Sequence, residues 1–105
     1  MMDVTHGAHG EVVVHLDGHF DASAANRLSG WLVEVPSGQP VVLDFSRVKM
    51  CEDFGLARVA RDVVARDRCV VRGLTRHHER MLRYFGVTLE ALPLAASADD
   101  SDAIG

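Results

Sequence analysis

Apolar positions along the chain change period several times, and each change marks an element. Val41 to Phe45 is a short apolar run rich in β-branched residues, introduced by Pro36-Ser37-Gly38-Gln39-Pro40, and it reads as a buried strand. From Asp53 onward the period is helical. Leu56, Val59, Ala60, Val63 and Val64 share one face, while Arg58, Arg61 and Asp62 fall on the other, so a helix is expected from Asp53 to about Arg66. Between strand and helix lies a tight acidic turn, Cys51-Glu52-Asp53-Phe54-Gly55, where the chemistry of the chain is expected to sit.

The flanking segments read in the same way. Val4-Thr5-His6 suits a short edge strand, the Gly7-Ala8-His9-Gly10 stretch a turn, and Glu11 to Leu16 a second strand closed by Asp17-Gly18. Val12, Val14 and Leu16 would face one side of it, Val13 and His15 the other. A helix near residues 22–35 is capped by Asp21 or Ser23, carries Ala25, Leu28, Trp31 or Leu32, and Val35 on its apolar stripe, and stops at Pro36. Cys69 to Leu74 is a further strand. Thr75 then caps a third helix in which His78, Met81, Leu82 and Phe85 share a face, ended by Gly86. Val87 to Leu94 is expected to form a last short strand or to pack on an edge, and Ala95 to Gly105 is a small, acidic tail, either weakly helical or disordered. The order predicts one α/β domain: a mixed four- to five-stranded sheet, β-β-α-β-α-β-α, with helices mainly on one face and right-handed crossovers between parallel strands.

Composition narrows the class. At 105 residues, 48% apolar and 25% charged, the chain suits a single globular domain. No apolar run approaches the roughly 20 residues that span a bilayer, and the first residues lack a basic-then-apolar secretory pattern. Two cysteines, Cys51 and Cys69, make no disulfide framework, so a reduced, cytoplasmic setting is expected. The net charge of −4 is unevenly spread: residues 1–53 carry −5, residues 54–85 carry +5 with eight arginines, and residues 86–105 carry −4. The basic segment has no Lys and few interleaved aromatics, which argues for a solvated, arginine-laced helix face and against nucleic-acid binding.

Motifs of catalysis are missing. There is no Gly-rich phosphate loop, no Gly-x-Ser-x-Gly elbow and no metal-type cysteine pairing. Cys51 would need a histidine beside it to act as a nucleophile. His6, His9, His15 and His19 lie in or near the first hairpin, and His77 and His78 are expected to point in different directions, so no metal site and no cofactor are predicted. Glu52 and Asp53 are adjacent at a helix start and diverge, which disfavours an acid/base pair. Asp53 instead suits the helix cap, at the end whose free amides and partial positive charge welcome a carboxylate or an anion. Gly55 in the first turn would admit close approach of another backbone.

Three segments together resemble the STAS domain: VVVHLDGHFDAS over residues 12–23, VVLDFSRV over 41–48, and EDFGL over 52–56. The resemblance covers roughly residues 11–94, with Asp44, Ser46, Val48, Gly55 and Leu56 on the family pattern. It implies the fold of bacterial anti-sigma factor antagonists and of sulphate-transporter tails. In that family the first Ser of a D-S-S-G motif is phosphorylated by a partner kinase that is also an anti-sigma factor. By position, Glu52 replaces the Asp, Asp53 the phosphorylated Ser, and Phe54 the second Ser. An Asp takes no phosphate from a Ser/Thr kinase, so the usual switch should be absent. Asp53 would either imitate part of the phosphoserine charge, or leave binding constitutive and set by shape, with Phe54 as an apolar anchor. The resemblance implies a non-enzymatic regulatory module that docks a GHKL-type anti-sigma factor/kinase partner through Asp21, Ser46, Glu52, Asp53, Phe54, Gly55, Arg58 and Arg61. Its alternative is an accessory subunit gripping the ATPase of an ABC-type lipid-transport complex. A third reading makes Asp53 a phosphoryl acceptor, but such a site needs a cluster of acids around Mg²⁺ and only Glu52 lies near.

Overall fold

The computed structural model describes residues 2–89, with elements β1 (Met2–His6), β2 (Val12–Phe20), α1 (Ala22–Glu34), β3 (Val41–Cys51), α2 (Asp53–Val64), β4 (Cys69–Arg72) and α3 (Arg76–Tyr84). The strands form one sheet in the order β1-β2-β3-β4, β1 antiparallel to β2 and the other three parallel. This is the expected β-β-α-β-α-β-α order. Of the expected last strand, a single parallel bridge between Leu89 and Val71 is present. Its residues from 90 onward, and the acidic tail 95–105, lie outside the described residues.

Strand alternation decides the layers. Val14 and Leu16 of β2, Val41, Leu43 and Phe45 of β3, and Cys69 and Val71 of β4 join one buried cluster with Ala25, Leu28 and Leu32 of α1, Leu56, Val59, Ala60 and Val63 of α2, and Leu82 of α3. All three helices therefore cover the same side of the sheet. In α1 it is Leu32 that is buried, and Trp31 packs against the cluster from its margin. Each such aliphatic side chain contributes roughly 1.5–3 kcal/mol by leaving water. The expected face of α3 is only partly realised. Leu82 is buried, whereas Phe85 is 46% exposed.

Two strands run further than their hydrophobic pattern suggests. β2 continues through Asp17-Gly18 to Phe20, and β3 continues through the polar stretch 46–50 to Cys51. The two pair along this extension, with register shifts between His15 and Asp17 and between Gly18 and His19. Backbone hydrogen bonding carries these residues, since few of their side chains are buried, so periodicity gives no sign of them.

α1 and α2 are fastened by polar contacts. The buried Ser29 hydroxyl donates to Asp62. Arg66 donates to the carbonyls of Leu32, Val35 and Pro36 at 3.1, 3.3 and 3.0 Å, the first of which also accepts the Val35 amide, and so ties down the end of α1. With Arg58 donating to Asn26 and Arg72 to Asp44, three arginines of the basic segment are engaged within the fold.

The side of the sheet away from the helices carries a charged row, in which cross-strand pairing aligns Asp3, His15, Asp44 and Arg72. Asp44 is only 6% exposed. Burial pushes its carboxyl up, but hydrogen bonds from Ser46 and the Arg72 guanidinium outweigh this and hold it below the usual range. A carboxyl depressed in the fold stabilises it above the unfolded value, and that contribution drains away as pH falls from there toward the folded value. Stability is thus expected to decline as pH drops below the ordinary 3.8. Urea titrations across pH should show Asp44→Asn less stable at neutrality and with a flatter acid limb.

Gly73 follows β4 with φ +81°, a left-handed backbone that side chains rarely adopt. A Cβ there would stand 2.6 Å from the Ser46 amide nitrogen and 2.9 Å from Asp44 Oδ1.

Candidate functional site

β3 ends at Cys51 and α2 starts at Asp53, so a single residue joins strand to helix. The Glu52 amide donates to the Phe20 carbonyl at 2.9 Å, tying the junction to the end of β2, and the Glu52 carbonyl accepts the first helical bond from Leu56 at 3.0 Å. Glu52, and not Asp53, holds the N-cap position, and its side chain makes no capping bond. It pairs instead with His19, Oε2 to Nε2 at 3.1 Å. The expected cap at Asp53 is corrected by one residue. From the first helical position its carboxylate turns outward to α3, where Oδ1 lies 3.2 Å from His78 Nε2 and 4.0 Å from His77 Nε2. The two histidines therefore converge, contrary to the divergence expected of neighbours on a helix. Asp53 remains open to solvent, its side chain 66% exposed.

Gly55 brings the starts of α1 and α2 together. A Cβ at this position would stand 2.9 Å from both the C and O atoms of Asp21. Gly55 is buried there, so it permits the approach and does not offer a surface of its own. Asp21 caps α1, accepting the Ala24 amide at 2.9 Å, and that hydrogen bond is the main reason its carboxyl lies below the ordinary range. Ser46 stands apart. It lies on β3 beside Asp44, six residues of chain before Glu52, a span of about 20 Å in extended backbone.

The exposed side of α2 is apolar at its ends and basic in its middle. Phe54, Ala57, Arg61 and Val64 recur at three- and four-residue spacing on that side. A depression of about 260 Å³ is lined by Ala22, Asn26, Phe54, Ala57, Arg58 and Arg61. A second, about 440 Å³, continues it over Ala60, Val64 and Phe85. Phe54 is 75% exposed and Val64 54%. Val64, expected on the buried stripe with Val63, instead ends this exposed row. Ala22, Asn26 and Phe85 escape a reading of the sequence because only the packing of α1 and α3 beside α2 brings them to this face.

Catalytic arrangements are poorly served. Burial, with Asp53 and Glu52 adding to it, pushes the Cys51 thiol up to about 11, the opposite of an activated nucleophile. Thr5, His15 and Asp44 do line up as hydroxyl, imidazole and carboxylate, with 3.2 Å from Thr5 Oγ1 to His15 Nε2 and 3.4 Å from His15 Nδ1 to Asp44 Oδ2. That same Oδ2 already accepts Arg72 at 3.2 Å. Of the histidines near the first hairpin, His15 and His19 are engaged separately, by Asp44 and Glu52. Among the described residues, the group with metal-ligand geometry is Asp53, His77 and His78.

A four-stranded mixed sheet covered on one side by three helices, with a one-residue strand-to-helix junction at its rim, defines a small α/β domain. The chain belongs to the STAS family: the family model described as "Mlab, STAS domain" matches residues 4–93. Among solved structures it is similar to Mglu, at 24% identity and TM-score 0.53 over 85% of the chain, although it spans only 18% of that much longer protein. It is similar in full length to the anti-sigma factor antagonist SpoIIAA in its unphosphorylated form, at 17% identity and TM-score 0.59, covering 97% of this chain and 98% of that one. A Ser-to-Glu variant of RsbS from Moorella thermoacetica matches at 13% identity and TM-score 0.60, covering 87% and 86%. At these identities the likeness is one of fold. No curated protein sequence matches the chain. None of the helices among the described residues is long and apolar enough to cross a membrane.

Proposed function

We propose that the chain is a non-enzymatic, cytoplasmic regulatory module that docks an ATP-binding anti-sigma factor/kinase partner on the exposed face of α2. One observation carries this reading: a phenylalanine, Phe54, stands 75% exposed at the edge of a depression flanked by Arg58 and Arg61, in a position the fold does not use for its own core. Exposed aromatics and arginines around a concave centre are the side chains that dominate binding interfaces. Asp53 beside it carries a fixed negative charge where the STAS resemblance places a phosphorylatable serine. Docking is then constitutive and governed by shape. The alternative that the STAS resemblance implies is a second reading, in which the same face grips the ATPase of an ABC-type lipid-transport complex.

Affinity capture from native extract, with the unaltered chain and Phe54→Ala as paired baits, tests both. An anti-sigma-type kinase retained only by the unaltered chain supports the first reading, and an ABC ATPase with that behaviour supports the second. Equal retention by both baits would dismiss the α2 face. With the partner in hand, Asp53→Ser is expected to bind within about threefold of the unaltered chain, a change below 1 kcal/mol. A gain of tenfold or more would show that Asp53 acts as a charge mimic.

A further inference from the structure

We propose that Asp53, His77 and His78 form a binding site for a divalent ion of the zinc class, bridging the starts of α2 and α3. Neighbouring residues of a helix normally point about 100° apart. Here His77 and His78 lie in the first turn of α3, where both rings reach the same oxygen of Asp53, their own centroids 5.0 Å apart. One donor atom from each of the three residues falls within 4.8 Å of the others.

The spacing suits a tetrahedral ion. With metal–ligand bonds of about 2.0–2.1 Å, adjacent donors stand about 3.3–3.5 Å apart. His78 Nε2 and Asp53 Oδ1, at 3.2 Å, are already near that separation. His77, at 4.0 Å and with its side chain 72% exposed, has to close by about half an ångström and is free to turn. Thr75 Oγ1 lies 3.0 Å from His78 Nδ1 and fixes that ring with Nε2 toward the carboxylate, the outer contact that orients metal-binding histidines. When the Thr75 oxygen accepts the Nδ1 proton, the Nε2 lone pair faces the Asp53 oxygen, and a cation between them satisfies both.

Donor chemistry selects the ion. Two imidazoles and one carboxylate suit zinc and its late first-row neighbours, whereas magnesium and calcium prefer oxygen throughout. Three protein ligands leave a fourth position for water or an incoming group. The partial positive charge at two helix starts opposes a cation, so binding is weaker than at a structural zinc centre. The site stands independently of the docking reading.

Calorimetric titration of the tag-free 105-residue chain, stripped with chelator, with zinc chloride tests it. One equivalent should bind saturably, with affinity lowered at least about tenfold by His77→Ala and by Asp53→Asn and unchanged by His9→Ala. Both sensitive positions are exposed, and unchanged circular dichroism should confirm that the variants fold. Cobalt chloride should give the visible absorption of a tetrahedral ion, lost in the same two variants. Absence of saturable binding, or zinc affinity unaffected by His77→Ala and Asp53→Asn, would overturn the site. Equal affinity for magnesium would overturn the class of ion.

Discussion

Replacing Phe54 with alanine is expected to weaken partner binding at least about 30-fold while leaving the melting temperature nearly unchanged. The two halves of this expectation have separate causes. At 75% exposure the ring contributes little to the core, so truncating it leaves no cavity and removes little buried area. In a complex the same ring would enter a pocket, and central aromatic anchors typically cost 2 kcal/mol or more on truncation, equivalent to about 30-fold in Kd. Arg58 sits beside it, held by Asn26 at 2.8 Å, so the basic rim is already oriented before a partner arrives. Arg61→Ala on the same face should cost less, since rim charges act mainly on association rate and salt dependence. Surface plasmon resonance with the captured partner, alongside thermal melts, would check both. A Kd for Phe54→Ala within threefold of the unaltered chain would remove the anchor from the account.

Gly73→Ala has the largest expected effect on stability. The residue stands at φ +81°, where an L side chain costs about 1–2 kcal/mol. Its new methyl would also come within 2.6 Å of the Ser46 backbone nitrogen. Backbone cannot rotate away as a side-chain tip can, and overpacking of this kind costs about 1–3 kcal/mol more. Neither cost is offset by helix propensity, because the position lies between β4 and α3. The sum, about 2–5 kcal/mol, corresponds to a melting temperature lower by roughly 10 °C or more for a domain of this size. The damage should reach Asp44, whose Oδ1 is the next nearest atom at 2.9 Å, so the acid limb of stability should change as well. A melting temperature within 3 °C of the unaltered chain would contradict the packing described. Gly55→Ala offers a comparison. It meets Asp21 backbone at 2.9 Å but gains up to about 1 kcal/mol of helix propensity, so it should be the milder change.

What could be read from the sequence follows what the hydrophobic pattern encodes. Val41 to Phe45 and the stripe from Leu56 to Val63 announce a strand and a helix because their side chains meet the core. The stretch 46–50 also belongs to a strand, but its residues are held by backbone pairing to β2, and of them only Val48 packs against the core, at its margin. The acidic turn accordingly looked several residues long when it is one. The same blindness affected the site. Asp53, Phe54, Arg58 and Arg61 are contiguous along α2 and visible as a helix face. Asn26 and Phe85 come from α1 and the end of α3, and only tertiary packing places them beside it. Helical geometry sends His77 and His78 in different directions within α3, and it gives no sign of the Asp53 carboxylate that reaches both from α2.

The one-residue joint between β3 and α2 has a mechanical consequence. There is no slack between sheet and α2, since Glu52 is anchored on one side to Phe20 and on the other to Leu56. Phe54 is thus carried on the same rigid frame as the central strand, and association forfeits little loop entropy. Whatever adjustment a complex demands must be made by the other molecule, so affinity should be tuned by residence time and by the partner's plasticity, with this chain acting as the die and the partner as the material pressed to it.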